Sequence, residues 1–151
     1  MRAVFADASF WIARARRGDQ HAEAARQAEA ALGEAALLTT EEVLVELLNA
    51  LSEYGPVMRQ AAVLMVQILV EDDRVTVIHQ SEDSFRRGLE LYQRRLDKGY
   101  SLTDCVSMCA MDSYGIRDIL TTDDHFRQAG YNALMAETED KRLHRSRPST
   151  R

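Results

Sequence analysis

The fold is decided by a segment close to the N-terminus, Ala3-Val4-Phe5-Ala6-Asp7-Ala8-Ser9. Its apolar first half is typical of a short strand that is buried on both faces, as in a parallel sheet. The sequence Asp-Ala-Ser then breaks the strand, because such residues favour turns and helix starts. An acid that directly follows a buried strand lies at the carboxyl edge of the sheet, where ligands bind in open parallel sheets.

Similar short apolar segments recur along the chain and alternate with helical patterns. We predict a strand over residues 3–7 and further strands over residues 36–38, 74–78, 118–120 and 131–134. Helical segments separate these strands, so crossover connections are expected between strands that pair in parallel. The alternation predicts an α/β sandwich with a short, mostly parallel central sheet flanked by helices.

Several helix boundaries are marked by capping residues. Thr39 with Glu42, and Ser101 with Asp104, have the spacing of a capping box, and Ser81 is a further N-cap residue. Apolar residues at helical spacing follow the first of these boxes. We predict helices over residues 10–15, 19–32, 43–54, 57–70, 82–98 and 102–113, and a single helical turn over residues 125–128.

The length and composition fit one domain. The chain has 151 residues, of which 46% are hydrophobic, so it can build one ordinary core and has little room for a second. We assign residues 1–135 to this domain. The polar, basic residues 136–151 are expected to form a disordered tail.

Two features of the sequence bear on the compartment. The chain shows no secretory leader and no apolar run near the roughly 20 residues that a membrane helix needs. Its two cysteines, Cys105 and Cys109, lie four residues apart without a second pair, so we interpret them as packing residues rather than metal ligands. We therefore expect a soluble, cytoplasmic protein with no membrane partner.

Charge is unevenly distributed along the chain. The formal net charge is −5, but residues 141–151 contain five basic residues and no acid, which leaves 14 basic and 24 acidic residues in residues 1–140. Such an acidic body cannot bind nucleic acid through bulk charge. An RNA or DNA substrate must therefore be held by metal ions and by local basic groups, for which Arg14, Arg16, Arg17 and the tail are candidates.

Four acids lie at or near the junctions between strands and helices: Asp7, Glu46, Asp104 and Asp123. If the fold brings them to one edge of the sheet, their mutual repulsion amounts to several kcal/mol unless protons or a divalent cation neutralise it. Mg²⁺ and Mn²⁺ prefer carboxylate oxygens, and the sequence offers no cluster of His or Cys for Zn²⁺. We therefore predict a metal site that supports phosphoryl chemistry.

Each acid also has an ordinary structural explanation. Asp7 can be a turn residue, and Asp104 can be a favourable charge at a helix N-terminus. Glu46 is the most informative of the four, because it interrupts an apolar stretch in which a surface charge is unexpected. Asp123 competes with its neighbour Asp124 for the fourth place. The histidines have no ligand spacing and are interpreted as surface or packing residues: His21, His79, His125 and His144.

The four acids stand in motifs that resemble those of the PIN domain, and specifically those of the VapC-like ribonuclease toxins of type II toxin-antitoxin systems. The resemblance covers about residues 3–135. No single motif is specific, but four motifs in this order are. They are Val4-Phe5-Ala6-Asp7-Ala8-Ser9, Thr39-Thr40-Glu41-Glu42-Val43-Leu44-Val45-Glu46-Leu47-Leu48-Asn49, Ser101-Leu102-Thr103-Asp104, and Leu120-Thr121-Thr122-Asp123-Asp124-His125-Phe126 followed by Gly130-Tyr131.

The resemblance implies roles for single residues. The metal ligands and catalytic residues that it implies are Asp7, Glu46, Asp104 and Asp123. Asp123 is favoured over Asp124 as the fourth acid and completes the metal shell directly or through water. The hydroxyl groups of Ser9 and Thr121 are expected to orient the carboxylates. Four carboxylates are compatible with either one or two ions, so this number stays open.

The resemblance also implies an activity and partners. The expected activity is a Mg²⁺- or Mn²⁺-dependent endoribonuclease that hydrolyses RNA phosphodiester bonds with a metal-activated water. The expected partners are RNA, a small antitoxin that occupies the active-site groove, and a second copy of the chain, which would pair through the apolar-rich residues 44–70.

Two other functions stay open at this point. One is a PIN nuclease in RNA processing, which an antitoxin reading frame beside the gene would argue against. The other is a non-catalytic, cation-binding regulatory module. A receiver domain is disfavoured, because it needs paired acids after the first strand and a Lys near the last. A phosphatase of the haloacid-dehalogenase type needs Asp-x-Asp at the first strand, where Ser9 takes the second place.

Overall fold

We describe the protein from a computed structural model, in which residues 1–135 are described. The tail predicted over residues 136–151 lies outside the described residues. The strands are β1 (Ala3–Ala6), β2 (Ala36–Thr40), β3 (Val75–Ile78), β4 (Asp118–Leu120) and β5 (Asn132–Ala133). The helices are α1 (Ala8–Ala15), α2 (Ala22–Leu32), α3 (Glu41–Leu51), α4 (Pro56–Glu71), α5 (Glu82–Arg94), α6 (Leu102–Ser113) and α7 (Asp124–Gln128).

The five strands form one sheet in the order β3-β2-β1-β4-β5. Every neighbouring pair in this sheet is parallel, which confirms the predicted α/β architecture. The chain builds outward from β1 to β2 and β3, and then returns to place β4 on the other side of β1. The strand order therefore reverses between β1 and β4, and the crevice beyond their carboxyl ends is the place where such folds bind ligands.

The core lies where β1 passes through the centre of the sheet. Val4, Phe5 and Ala6 are completely buried, as expected for a strand covered on both faces. The first helix is fixed by Phe10 and Trp11, which are both buried and contact each other edge to face with 4.8 Å between ring centroids. This packing anchors α1 and holds its start against the end of β1.

Helix α6 is held in place by an unusually close contact with α5. Gly88 in α5 is buried, and a Cβ atom added there would lie 2.5 Å from the Cγ2 atom of Val106 in α6. No larger side chain fits at this contact without movement, because real Cβ atoms do not approach other atoms so closely. The absence of a side chain at Gly88 thus lets the two helices approach and fixes the position of α6 beside the sheet.

Some predicted boundaries were wrong. Thr40, not Thr39, is the N-cap of α3, and its hydroxyl oxygen accepts a hydrogen bond from the Val43 N–H at 3.2 Å. Thr39 belongs to β2, where its hydroxyl group donates to the Ala6 carbonyl oxygen at 2.9 Å. Helix α2 begins three residues later than predicted, and α5 ends four residues earlier. Within the described residues, no helix is both long enough and apolar enough to cross a membrane.

Candidate metal centre

Asp7 lies between the end of β1 and the start of α1, where it is the N-cap residue. Its side chain is almost completely buried at 5% exposure. The Thr121 hydroxyl group donates to Asp7 Oδ2 at 2.8 Å, and the Asp7 N–H donates to the Leu120 carbonyl oxygen at 3.1 Å. The ends of β1 and β4 thus hold this carboxylate at the edge of the sheet where the strand order reverses.

Thr121 connects Asp7 with the fourth acid. Its hydroxyl oxygen also accepts a hydrogen bond from the Asp123 N–H at 3.0 Å. The Ser9 hydroxyl lies 3.2 Å from the Thr121 hydroxyl and accepts from the Thr122 N–H at 3.1 Å. Thr121 therefore contacts the side chain of Asp7 and the backbone of Asp123, from where it can orient carboxylates, whereas Ser9 is connected to the acids only through Thr121.

Asp104 lies in the first turn of α6. Its N–H donates to the Ser101 hydroxyl oxygen, and its Oδ2 atom accepts from the Ser101 N–H, both at 3.0 Å. The predicted capping box between these two residues is thereby confirmed. The residue is 5% exposed, so the cap fixes a carboxylate that is almost removed from water.

Glu46 lies on α3, where Val43, Leu44 and Leu47 are buried, whereas the side chains of Val45 and Glu46 are exposed. The buried apolar residues therefore form one face of α3, and Glu46 lies on the exposed face. The negative charges of Asp7, Asp104 and Asp123 all act on the Glu46 carboxylate. The structure thus places the four acids of the sequence prediction within electrostatic reach of one another.

Asp123 is the N-cap of α7, and its Oδ1 atom accepts from the His125 N–H at 2.9 Å. The imidazole of His125 approaches the same cluster, with Nδ1 at 3.1 Å from Asp104 Oδ2 and 3.2 Å from Asp123 Oδ1. The neighbouring Asp124 instead forms an ion pair with Arg127 at 2.9 Å. Asp123, rather than Asp124, is therefore the acid that contacts the same imidazole as Asp104.

His125 corrects the sequence analysis, which interpreted it as a surface or packing residue. Asp104, Asp123 and His125 offer ligand atoms that all lie within 4.8 Å of one another. The spacing of these residues along the chain does not indicate that they lie together, because Asp104 belongs to a different helix from Asp123 and His125. The available signal was local: a histidine two residues after a candidate ligand, in the first turn of the same helix, has to remain close to it.

The acidic cluster changes the pKa values of its members. Burial raises the pKa of Asp7 to about 6, and the charges of Asp104 and Asp123 add to this rise against the opposing Thr121 hydrogen bond. Partial withdrawal from water and then the three other acids raise the pKa of Glu46 to about 7. Burial also raises the pKa of Asp104. Water on the exposed side of Glu46 screens part of the repulsion.

The residues present fit a hard divalent cation. Raised carboxylate pKa values mean that the fully ionised cluster is unfavourable by itself, and a dication relieves the same repulsion without protons. Carboxylate oxygens are the ligands that Mg²⁺ and Mn²⁺ prefer. Cys105 is buried and Cys109 is half-buried, and both are free thiols that pack within α6.

The arginines at the C-terminal end of α1 differ in their contacts. Arg14 pairs with Glu29 at 3.1 Å, and the Arg16 guanidinium stacks on the Tyr54 ring at 4.3 Å, whereas Arg17 is exposed beyond the end of α1. On α5, by contrast, Arg86 forms ion pairs with acids of its own helix. Such ion pairs within one helix are typical of a solvated helix face.

Comparison with known proteins identifies the family. A family model described as PIN domain matches residues 4–131. Among solved structures, the chain is similar to VapC20 of Mycobacterium tuberculosis, a toxin that cleaves the sarcin-ricin loop, with 27% sequence identity and a TM-score of 0.76. The match covers 85% of this chain and 95% of VapC20. No curated protein sequence matches the chain.

The chain therefore belongs to the PIN-domain family. Its similarity to VapC20 further supports the VapC-like character that the four motifs predicted.

Proposed function

We propose that the protein is a metal-dependent endoribonuclease and acts as the toxin of a type II toxin-antitoxin system. The observation that carries this proposal is the gathering of Asp7, Glu46, Asp104 and Asp123 at one edge of the sheet, with raised pKa values for Asp7, Glu46 and Asp104. The PIN-domain match and the similarity to a toxin that cleaves RNA support it.

In this proposal the four carboxylates are the ligands of Mg²⁺ or Mn²⁺. A bound dication would activate a water molecule for attack on phosphorus and neutralise the charge that develops on the phosphate. The protein's own contribution is to fix the ligands in place. The Thr121 hydroxyl group holds Asp7 through Oδ2, and the Ser101 N–H holds Asp104 through Oδ2, so both carboxylates are fixed in orientation before an ion binds.

The acidic surface around the site determines how RNA has to approach. Because the cluster repels phosphate until its charge is balanced, we propose that the cation and nearby arginines bind the backbone together. Of the three arginines at the end of α1, we favour Arg17 for contact with the RNA backbone, because it is exposed, whereas Arg14 pairs with Glu29 and Arg16 stacks on Tyr54. No side-chain general base is needed in this scheme.

Partners follow from the same proposal. A toxin of this type works in the cytoplasm and is neutralised by an antitoxin whose segment lies in the active-site groove. We also propose a homodimer, because α4 carries large apolar side chains that are half or more exposed. In α4 these are Val57, Leu64, Ile68 and Val70, with exposures of 79%, 56%, 54% and 62%.

The experiment is cleavage of total RNA, and of an RNA that contains the sarcin-ricin loop, by purified protein free of any partner. Reactions contain Mg²⁺, Mn²⁺ or EDTA, and the wild type is compared with Asp104→Asn. We expect discrete cuts that need a dication and fall at least about 100-fold in the variant. Asp83→Asn, an exposed acid on α5 that pairs with Arg86, is the matched control and keeps full activity.

The outcomes separate the proposed function from its competitors. Equal cleavage by the wild type and Asp104→Asn would mean that the cuts come from another enzyme or another site. Dication binding without cleavage of any RNA would favour a regulatory module that only binds the cation. Cleavage confined to a precursor RNA would favour RNA processing.

A further inference from the structure

His125 contacts the carboxylates of Asp104 and Asp123, which lie on the side of the cluster that α6 and α7 form. The proposed metal centre of four carboxylates assigns no role to this histidine. Its Nδ1 atom lies 3.1 Å from Asp104 Oδ2 and 3.2 Å from Asp123 Oδ1. Each of these oxygens also accepts one backbone N–H, from Ser101 and from His125 itself. A carboxylate oxygen has two lone pairs, so each oxygen keeps one lone pair for a contact on the side that faces the His125 imidazole.

The two distances are those of neighbouring ligand atoms around one cation. In an octahedral site with ligand distances of about 2.1 Å, adjacent ligand atoms are separated by about 3 Å. Nδ1 has this separation from both carboxylate oxygens. The three groups can therefore share one cation after small side-chain adjustments, without any rearrangement of α6 or α7.

The position of the imidazole is held by its surroundings. Its ring lies edge to face against Tyr100, with 5.5 Å between ring centroids. The ring also borders Gly99, where an added Cβ atom would lie 3.5 Å from His125 Nε2. The side chain is 33% exposed, so the ring is kept next to the carboxylates while an ion from solvent still reaches Nδ1.

We propose that His125 is a nitrogen ligand of the cation and that it makes the centre prefer Mn²⁺ to Mg²⁺. Both ions bind carboxylate and water oxygens well, but an imidazole nitrogen is a poorer ligand for the harder Mg²⁺ than for the transition metal Mn²⁺, so a nitrogen in the shell shifts the preference toward Mn²⁺. This inference rests on the proposed function, since it assumes that Asp104 and Asp123 bind the cation. The competing role is a hydrogen-bond clamp, in which His125 orients the two carboxylates and never contacts the ion.

Pulsed EPR of bound Mn²⁺ distinguishes the two roles, because only a directly bound imidazole gives strong nitrogen coupling. Wild type, His125→Gln and His125→Phe are compared, with His79→Gln as the matched control. His79 is exposed and pairs with Glu41, remote from α7. We expect nitrogen coupling in the wild type and the control, and its loss in both His125 variants. Thermal melts of all four proteins establish that they are folded.

Metal affinity is the second readout. Competition between Mn²⁺ and Mg²⁺, measured by calorimetry, should show that His125→Gln lowers the Mn²⁺ preference at least about tenfold. Mg²⁺ binding itself should change little, because the glutamine amide oxygen can replace the nitrogen as a hard ligand.

Failures of the two proposals look different. Bound Mn²⁺ without nitrogen coupling, and an unchanged preference in His125→Gln, would leave the metal centre intact and overturn the role of His125. No Mn²⁺ binding by the wild type, or binding that Asp104→Asn does not weaken, would overturn the carboxylate centre and with it this inference.

Discussion

At the residue scale, Asp7 shows most clearly what the cluster does to a single side chain. Burial and neighbouring acids raise the pKa of this carboxyl group from an ordinary 3.8 to about 6. A carboxyl group with a raised pKa stays protonated in the folded protein at pH values where the unfolded chain has already released its proton. The stability that Asp7 contributes to the cation-free protein therefore falls as the pH rises from about 4 to about 6, and the Glu46 carboxyl group extends the loss to about pH 7.

This reasoning predicts an unusual effect of Asp7→Asn. Asparagine cannot ionise, and its amide oxygen can still accept from Thr121. We expect the variant to melt a few degrees higher than the wild type at pH 8 in EDTA, and at nearly the same temperature at pH 4. Mn²⁺ should stabilise the wild type and leave the variant unchanged, because ligand binding adds stability only where the site exists.

Differential scanning calorimetry from pH 4 to pH 8, with and without Mn²⁺, checks this prediction. Asp83→Asn serves as the control and should follow the wild-type pH profile. An Asp7→Asn protein that melts lower than the wild type at pH 8 in EDTA would show that the ionised Asp7 does not strain the cation-free fold.

Sequence reasoning at this scale worked where the chemistry was local. Asp7 and Asp123 follow strands, and Asp104 opens a helix, so their shared edge was expected before the structure was known. His125 was missed, because its partner Asp104 comes from a separate helix and only the packing of α7 against α6 brings them together. The apolar neighbours of Glu46 in the sequence did not indicate where its side chain lies, because that side chain is on the exposed face of α3.

At the element scale, the caps of α5 and α6 form a natural pair for comparison. Ser81 and Ser101 both close a capping box, with Ser84 and Asp104 as their partners. Only the second box includes a residue of the acidic cluster. We expect Ser101→Ala and Ser81→Ala each to lower the free energy of unfolding by about 1 kcal/mol. Ser101→Ala keeps the Ser101 N–H that donates to Asp104 Oδ2 and removes the hydroxyl oxygen that accepts from the Asp104 N–H. It should also weaken Mn²⁺ binding several-fold, because the first turn that carries the Asp104 carboxylate is then held less firmly.

Urea denaturation and Mn²⁺ titration of both variants test this difference. Equal Mn²⁺ affinities in the two variants would mean that Ser101 stabilises α6 without positioning its carboxylate.

The predicted elements themselves were mostly right, and the errors have physical causes. Thr39 and Thr40 are adjacent and both can cap a helix, so the sequence alone could not choose between them. The choice is tertiary: Thr39 is used by β2, where its hydroxyl group reaches the end of β1. The Arg95 N–H makes the last helical hydrogen bond of α5, to the Leu91 carbonyl oxygen, and the chain then turns, with the Lys98 N–H donating to the Arg95 carbonyl oxygen.

At the scale of the whole molecule, the strand order explains why a chain with such scattered acids builds one site. Returning from β3 to β4 places the carboxyl ends of the first and fourth strands side by side, and the helix starts that follow them carry Asp7 and Asp123. The alternation of strands and helices predicted this class of fold. The order of the strands was not readable from periodicity, because it depends on which pairs pack together.

The exposed apolar face of α4 leads to a prediction about assembly. We expect the isolated protein to form a dimer, with twice the chain mass of 17.1 kDa, because Leu64 and Ile68 are each more than half exposed on one helix. A charged side chain at either position should disfavour association, since it would be buried without a partner.

Light scattering after size exclusion is the test, with Leu64→Glu and Ile68→Glu compared with Gln93→Glu, an exposed position on α5. A wild-type protein that stays monomeric at high concentration would refute the dimer and leave the α4 face for another partner.

The most direct test of the central claim follows cation binding and RNA cleavage together in one Mn²⁺ titration. Bound Mn²⁺ is measured by EPR, and the initial rate of cleavage is measured on one defined RNA in the same samples. We predict that both signals reach half of their maximum at the same Mn²⁺ concentration, and that Asp104→Asn loses both by at least about 100-fold. Cleavage that proceeds equally well in the variant, or without bound Mn²⁺ and with all dications chelated, would contradict the account.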